Sequence, residues 1–443
     1  MLSETEGRQW IERTLALSRA EGAQVTLEAT SATHLRFARN SPSTSGSHTD
    51  HTLTVRSSFG KKSAAATTNQ LDDASLREVV ERSERLARLA PENPEHMPDL
   101  EPQSYASVAA FDATLPERGA AYIAEGSAGC MAKARESDLV AAGYSLVSAR
   151  ATFVGNRRGL YGHHRATEAS FSETVRTSSG AGSGWAAGVG TALDQVDYAK
   201  CGAVAIDKAL RSAEPKPLPP GKYVTILEPA CVASLMQLLA FSMNQRSAEE
   251  GRSFFSEPDG KTKLGQQLFP EGISLGSDPS SQLAQGSPWG NEGLPQLPRR
   301  WIDKGRLTEL FCERFWATKR DREPVPPPSN LLMQGGSGSL DDLIASTKRG
   351  VLITSLWYIR FVDPKTLLLT GLTRDGVFWV ENGKIAHPVS NFRWNDSPIR
   401  VLKNVDAMTK SARTSPREGT ASNIWVPAVR VKEFELSSVS DAV

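Results

Sequence analysis

The sequence predicts an α+β fold: an N-terminal α/β region in two parts, with antiparallel sheet and flanking helices, followed by a β-rich C-terminal domain. In the first half of the chain, capped and amphipathic helical segments alternate with strand-like runs. After a proline-rich connector near residue 218, strand-like runs and tight-turn signals dominate. The length of 443 residues is about three times a ~150-residue domain, and we expect units at 1–100, 101–218 and 219–443.

The first unit contains two predicted helices and two predicted strands. Ser3 has capping-box spacing to a glutamate ahead of apolar residues at helical intervals, and Asp72 begins a second amphipathic segment. Alternating apolar residues predict strands at 24–40 and 52–59, joined by a Ser- and Gly-rich loop at 41–50. Four prolines between residues 91 and 102 end the second helix and close the unit.

The central unit has the same mixed pattern. Its predicted elements are a helix at 116–137, strands at 139–154 and 159–177, and a helix at 194–212. The four residues between the two strands have the composition of a hairpin turn. A stiff proline-rich stretch at 214–221 is typical of a domain boundary.

A glycine cluster at 180–190 lies between the last strand and the last helix of this unit. A phosphate-binding loop is one interpretation, but Ala187 occupies the third glycine position and about ten residues separate the cluster from the helix. The preceding run also alternates polar and apolar residues, unlike a buried parallel strand. We therefore favour a bent or edge strand, where missing side chains let another backbone approach closely.

The third unit is predicted to be mainly β. It begins with a strand at 223–227 and a helix from about 230 to 244. Regions 271–298 and 324–329, rich in glycine, serine and proline, are interpreted as extended surface loops. Further strands are predicted at 350–362, 366–372, 377–381 and 426–434, with a tight hairpin turn at 381–384.

The charge balance gives no sign of a nucleic-acid or membrane-surface partner. Lysine plus arginine total 51 and aspartate plus glutamate total 50, so the formal net charge is +1. No run approaches the ~20 apolar residues of a membrane helix, and the N-terminus resembles no signal peptide. The four cysteines are far apart, without CxxC spacing, which favours reduced thiols. We expect a cytoplasmic protein.

The residues that could carry chemistry are sparse. His163 and His164 are adjacent on a predicted strand, which sends them to opposite faces, and no His-x-x-x-His or His-Glu-x-x-His helix occurs. Cys231 lies near the start of a helix, where the helix dipole favours a thiolate nucleophile. Its apolar neighbours favour the alternative of a small buried side chain.

An ordered set of segments resembles the TldD/PmbA family, on its PmbA or TldE side. These segments are 35–40, 156–165, 180–185, 219–224 and 378–385, and the resemblance spans nearly the whole chain. The resemblance implies a cytosolic, zinc-dependent protease built as a heterodimer that acts on unfolded peptides. In such a heterodimer, the TldD-like subunit holds zinc through a His-Glu-x-x-x-His helix and a later cysteine.

The corresponding helix of this chain lacks those ligands. By the resemblance, Gln237 and Ser242 occupy the two histidine positions and Leu238 occupies the glutamate position. An amide, a hydroxyl and an isobutyl group are poor zinc ligands and cannot take a proton from water. A late cysteine is missing as well, since the last one is Cys312. We therefore expect no metal, cofactor-binding or catalytic residue in this chain, and zinc in its partner.

The leading interpretation is a PmbA/TldE-like subunit that completes a substrate cavity and stabilises a TldD-like catalytic partner. One alternative is a stand-alone, homodimeric protein that binds peptides or supports assembly without cutting. Another is a lone peptidase or amidase that uses Cys231. None of the three involves a membrane, and the neutral charge argues against direct contact with DNA.

Overall fold

The computed structural model describes residues 1–418 and 423–440. It confirms the α+β class: an antiparallel sheet with flanking helices is followed by a β-rich C-terminal region. Within the described ranges, no helix is both long and apolar enough to cross a membrane.

The N-terminal region is one six-stranded antiparallel sheet with four helices. The helices are α1 (Glu4–Leu17), α2 (Asp73–Leu89), α3 (Thr114–Glu136) and α4 (Tyr198–Arg211). The strands are β1 (Gly22–Ala38), β2 (Ser41–Phe59), β3 (Lys62–Thr68), β4 (Leu139–Asn156), β5 (Tyr161–Thr177) and β6 (Ser183–Gly190), in the order β3-β2-β1-β4-β5-β6. Because β1 pairs with β4, this sheet joins the first two predicted units, and a boundary at residue 100 stays a prediction.

Helix starts follow the capping signals read from the sequence. Ser3 and Glu6 form a capping box at α1, and the Asp72 carboxylate accepts hydrogen bonds from two backbone N–H groups at the start of α2. The apolar sides of these helices pack against one face of the sheet and form two clusters. Representative buried members are Ile11, Val79 and Phe153 in one cluster and Phe37, Ile123 and Phe171 in the other.

The loop predicted at 41–50 is wrong, because these residues belong to β2. Strand β2 begins at Ser41, directly after a turn in which Arg39 and Asn40 have positive φ, and it pairs with β1 along its length apart from a bulge at Ser43. The side chains at 41–50 are mostly polar and exposed, although the backbone is paired. Hydrophobic alternation reports burial of a face, so it is absent where a paired strand is solvated.

The glycine cluster forms β6, an edge strand, as predicted. A side chain at Gly184 would place its Cβ 2.1 Å from the Ala205 carbonyl oxygen of α4. The lack of a side chain therefore lets the α4 backbone approach the strand closely.

The described part of the C-terminal region contains two further sheets and five short helices. The helices are α5 (Pro229–Ser242), α6 (Gln245–Glu249), α7 (Arg314–Lys319), α8 (Leu340–Ala345) and α9 (Pro398–Asn404). The strands are β7 (Gly221–Leu227), β8 (Leu275–Ser277), β9 (Arg299–Asp303), β10 (Arg306–Leu307), β11 (Leu331–Met333), β12 (Arg349–Asp363), β13 (Leu368–Glu381), β14 (Lys384–Pro388), β15 (Asn391–Asp396), β16 (Val405–Met408), β17 (Ala412–Thr414), β18 (Ile424–Val426) and β19 (Val429–Ser440).

One C-terminal sheet has the order β10-β9-β8-β11-β18-β17 and the other β12-β7-β19-β15-β13-β14, with β16 paired to β19. Their shared core includes α5 and large buried side chains such as Trp301, Trp394 and Phe434. The hairpin turn at 381–384 is confirmed, with positive φ at Asn382 and Gly383.

Two C-terminal predictions need correction. The strands expected at 366–372 and 377–381 are one strand, β13, which continues through positive φ at Asp375 and Gly376. The regions 271–298 and 324–329 are not surface loops throughout, because Ile273, Ala284 and Val325 are buried and β8 lies inside the first region. Glycine and proline indicate an irregular backbone, which can be buried when isolated apolar side chains anchor it.

Candidate functional site

Helix α5 is almost entirely enclosed over its first half. Pro229 occupies the first turn, where its missing N–H costs nothing, and each residue from Ala230 to Met236 is at most 7% exposed. A helix that is apolar on all sides is stable only when protein surrounds it. The core therefore fixes the position and direction of α5.

The last turn of α5 opens onto a cavity of about 530 Å³, which we call the α5 cavity. Gln237 is exposed, and Phe241 is 73% exposed although it is a large aromatic residue. The wall opposite the helix is formed by Phe311, Glu313, residues 327–331, Asn423 and Ile424. The exposed end of the helix thus presents an amide and an aromatic ring to an open space.

The three positions expected from the family resemblance do not converge. Gln237 lines the α5 cavity, whereas Leu238 packs partly buried against the C-terminal core. The Ser242 hydroxyl donates a hydrogen bond to the Leu238 carbonyl, 2.9 Å away. Among the described residues, the Gln237 carboxamide has no hydrogen-bond partner, and Gln237 is exposed at the cavity.

These side chains do not fit a zinc ion. Zinc in proteins takes about three nitrogen, sulfur or oxygen ligands, and a catalytic site also keeps an open position. Leu238 offers no donor atom, and the Ser242 hydroxyl is engaged with the helix backbone. In residues 1–418 and 423–440, no three His, Cys, Asp or Glu side chains are grouped as a metal would require.

Cys231 lies in the enclosed half of α5 and is 0% exposed. Its thiol donates to the Ile353 carbonyl oxygen at 3.5 Å. Burial raises the pKa of the Cys231 thiol well above its usual value, which disfavours the thiolate form. The geometry supports a small buried side chain rather than a nucleophile.

The adjacent histidines lie on opposite faces of β5, as predicted. His163 stacks on Phe153 with ring centroids 4.8 Å apart, and its Nδ1 atom is 3.6 Å from Glu4. His164 meets Trp289 edge to face at 6.2 Å. Burial lowers the pKa of His164 to about 4, so this ring is neutral at physiological pH.

A second cavity of about 400 Å³ adjoins the α5 cavity and shares Phe311, Glu313 and Pro327 with it. Its other walls come from both regions and include Arg56 and Asp99 of the N-terminal region and Arg314 of α7. Nearby, the Arg246 guanidinium donates two hydrogen bonds of 2.7 Å to the Glu95 carboxylate. This bidentate pair links α6 to the segment that follows α2.

A third cavity of about 660 Å³ lies between the polar face of the N-terminal sheet and the C-terminal region. It shares Asn423 with the α5 cavity. Sheet residues on its wall include Tyr144, Arg150, His164, Ser170 and Trp185. Residues 285–287 and 415–417 form the opposite wall.

A buried ion pair connects the two regions beside the third cavity. Asp375 of β13 is 0% exposed; its Oδ2 atom is 2.8 Å from Arg417 Nη2, and its Oδ1 atom accepts a 2.7 Å hydrogen bond from Ser183 of β6. The Arg417 guanidinium also lies over the Trp185 ring at 5.0 Å. These contacts fix the N-terminal sheet relative to the C-terminal region.

Sequence reasoning missed most of the cavity walls. Phe241, Phe311 and Asn423 had no motif, and the segments 285–294 and 326–329 were interpreted as surface loops. The glycines and prolines of these segments indicate an irregular backbone, which is common at binding sites. That signal alone could have identified the segments as candidate cavity walls.

Comparison with known proteins identifies related sequences. Residues 220–438 match the PmbA/TldA metallopeptidase C-terminal domain, and residues 23–87 match PmbA/TldA metallopeptidase domain 1. A metalloprotease of Methanothermobacter thermautotrophicus is 23% identical over 234 residues, which cover 50% of each chain. Metalloprotease PmbA of Escherichia coli O157:H7 is 25% identical over 183 residues, covering 39% of this chain and 38% of that one.

The aligned part of this chain spans half the length, or less, of these relatives. A solved structure extends the likeness to the whole fold: TldE from Thermococcus kodakarensis superposes with a TM-score of 0.86 at 17% identity. The superposition covers 97% of this chain and 99% of that protein.

Proposed function

This chain belongs to the PmbA/TldD metallopeptidase family, and we propose that it is the TldE-like subunit of a zinc metallopeptidase formed by two different chains. The TldD-like partner holds the zinc ion and the catalytic groups. This chain completes the substrate cavity and stabilises the partner. The observation that carries the proposal is that Gln237, Leu238 and Ser242 cannot together ligate zinc or activate water.

The α5 cavity supports a peptide as the substrate. An unfolded peptide exposes apolar side chains together with backbone N–H and C=O groups. Phe241 offers an exposed aromatic ring, and the free Gln237 carboxamide can donate to and accept from a backbone. Ligand sites commonly combine apolar surface with a few orienting polar groups in this way.

The walls of the cavity are held in place before any ligand arrives. The Asn423 side chain donates to the Ser329 carbonyl oxygen, and the Asn244 side chain accepts from the Ser247 N–H at 2.7 Å. Because these amides are already bonded, they do not need to reorganise when a peptide enters. A preformed cavity lowers the entropic cost of binding.

The two alternatives differ in what they require of this chain. A lone peptidase using Cys231 needs an accessible thiolate, and the complete burial of that thiol argues against it. A homodimeric peptide-binding protein would use the same α5 cavity without cleavage, so only an assay with a partner separates it from the proposed subunit.

The direct test mixes the purified chain with a TldD-like chain from the same source and follows cleavage of an unstructured fluorogenic peptide. We expect cleavage by the mixture, none by this chain alone, and zinc only with the partner. The proposal is contradicted if this chain cleaves the peptide alone. It is also contradicted if the mixture cleaves no faster than the TldD-like chain alone.

A matched pair of variants tests the cavity. Phe241→Ser removes the exposed ring at the cavity, and Leu89→Ser removes a side chain that is 78% exposed on α2. We expect only the Phe241 variant to raise the KM of the mixture for peptide. Equal KM values for both variants would remove the α5 cavity from the proposal.

A further inference from the structure

The outer part of the β12–β13 hairpin, residues 357–370, forms an arm whose outer edge is not covered by any described strand. Strand β12 pairs with β7 only at 351–353, whereas its pairing with β13 continues to Asp363. Within the described residues, no strand covers the outer edge of β12 beyond Trp357, and the Ile359 N–H donates to the Glu418 carboxylate at 3.2 Å. An unpaired edge of this kind is a common place for another chain to attach.

Large apolar side chains are exposed along this arm. The exposed fractions are 50% for Tyr358, 41% for Phe361 and 54% for Val362. Phe361 also lies beside Phe241 of α5, with ring centroids 6.4 Å apart, so the arm continues the aromatic surface at the mouth of the α5 cavity. Contiguous apolar patches on soluble proteins commonly mark interaction sites.

Arginines accompany these rings. The Arg360 guanidinium lies 4.1 Å from the Tyr358 ring centroid, and that of Arg374 lies 4.3 Å from the Trp357 centroid. Neither arginine has an ion pair among the described residues. Aromatic side chains and arginine are enriched at the centres of protein–protein interfaces, whereas lysine and glutamate are depleted there.

The charge on the arm determines which kind of partner fits. Within residues 357–370, the positive groups are Arg360 and Lys365 and the negative group is Asp363. Arg374, Arg393 and Glu418 lie outside this range but contact it, through Trp357, Thr370 and Ile359 respectively. In a two-fold dimer the same surface faces itself, so a second copy would bring this positive excess against itself. A partner with apolar groups and carboxylates would instead meet both the rings and the arginines.

We propose that the arm, beside Phe241, forms the docking surface for a second, non-identical subunit that presents apolar side chains together with acidic residues. The inference rests on the proposed function in taking that subunit to be the TldD-like chain. Tyr358, Phe361 and Val362 lie outside the cavity walls described above, which favours a protein surface over a peptide as the occupant. The partner then lies directly against the mouth of the α5 cavity.

The test measures binding of the full-length chain to the TldD-like chain by sedimentation velocity. The variants are Tyr358→Ser with Phe361→Ser, and Arg360→Glu with Arg374→Glu. The matched control, Arg77→Glu with Arg85→Glu, makes the same charge change on exposed residues of α2. Thermal unfolding confirms that each variant remains folded. We expect both arm variants to weaken binding about 100-fold or more, and the α2 control to bind as the original chain does.

Four other results would overturn the inference. If the arm variants bind the TldD-like chain as tightly as the original chain does, this docking surface is wrong, but the proposed two-chain enzyme still stands. No binding by the original chain rejects both proposals. Self-association that the arm variants abolish makes a second copy the occupant. Loss of binding of an unstructured peptide, with subunit binding retained, makes the arm a peptide site.

Discussion

Two buried acids have different surroundings: Asp375, where the two regions meet, and Glu173, in the N-terminal core. Asp375 is fully buried but meets Arg417 at 2.8 Å and Ser183 at 2.7 Å. In the N-terminal core, Glu173 is 1% exposed and neither carboxylate oxygen has a hydrogen-bond partner. The Cys130 thiol beside it donates instead to the Tyr198 carbonyl at 3.3 Å. A buried charge is tolerated when it is paired and costly when it is not.

Helix α5 is held by apolar packing rather than by a buried charge. It lies in the C-terminal core, and its first half contacts protein on every side. Packing therefore orients α5, and no metal is needed to do so. The exposed end of α5 contributes little to this packing, and its side chains Gln237 and Phe241 line the α5 cavity.

Removing the paired charge should have the largest effect on stability. Asp375→Asn keeps the shape of the side chain but leaves the largely buried Arg417 guanidinium without its anion. We expect a loss of about 3–5 kcal/mol in the free energy of unfolding, measured with urea. The control Asp207→Asn breaks an exposed pair with Arg211 and should cost less than about 1 kcal/mol. Similar losses in both variants would show that burial of the pair has no special cost.

Truncating the enclosed half of α5 comes next. Leu235 is 1% exposed, and Leu235→Ala should lower the free energy of unfolding by about 3–4 kcal/mol through lost burial and a residual cavity. Gln237→Ala, on the exposed side two residues later, should change it by less than about 0.5 kcal/mol. A small loss for Leu235→Ala would contradict the view that packing fixes this helix.

The unpaired acid should make the N-terminal core sensitive to pH. Burial raises the pKa of Glu173 from 4.5 to about 7. Between these values the unfolded chain releases the proton while the folded chain keeps it, so stability falls as the pH rises and levels off above about pH 7. The loss should total about 3 kcal/mol.

Glu173→Gln isolates this contribution, because the amide cannot ionise. The variant should lack this fall, so its free energy of unfolding relative to the original chain should increase from pH 5 to pH 8. Parallel pH profiles for the two proteins, measured by urea unfolding, would show that Glu173 does not titrate with a raised pKa.

The smallest expected effect is on ligand binding. Gln237→Ala removes the free carboxamide from the α5 cavity, and loss of one hydrogen bond of about 1 kcal/mol should weaken peptide binding about fivefold. Fluorescence anisotropy with a labelled, unstructured peptide measures the affinity of the original chain and of the variant. Unchanged affinity would place the peptide elsewhere.

The sequence predicted those parts of the fold that depend on local chemistry. Ser3 and Asp72 marked helix starts, and the turn with Asn382 and Gly383 joined two strands. Residues 41–50 were missed because a solvated strand shows no apolar alternation. Local sequence patterns predict helix caps and buried faces, but they do not predict a strand that is paired and exposed to solvent on both faces.

The candidate site depended more on tertiary contacts. The positions Gln237, Leu238 and Ser242 came from the family resemblance, and only the structure separated the one that faces the cavity from the two that do not. Asp375 and Arg417 are far apart in the sequence and meet only in the folded chain, so no local sequence pattern predicts their ion pair.

The central claim is that this chain holds no zinc of its own, and metal analysis of the purified chain tests it most directly. After equilibration with zinc and removal of the unbound ion, we expect far less than stoichiometric zinc in this chain and stoichiometric zinc in a TldD-like chain treated identically. Stoichiometric zinc in this chain, lost in Gln237→Ala or Ser242→Ala, would contradict the account.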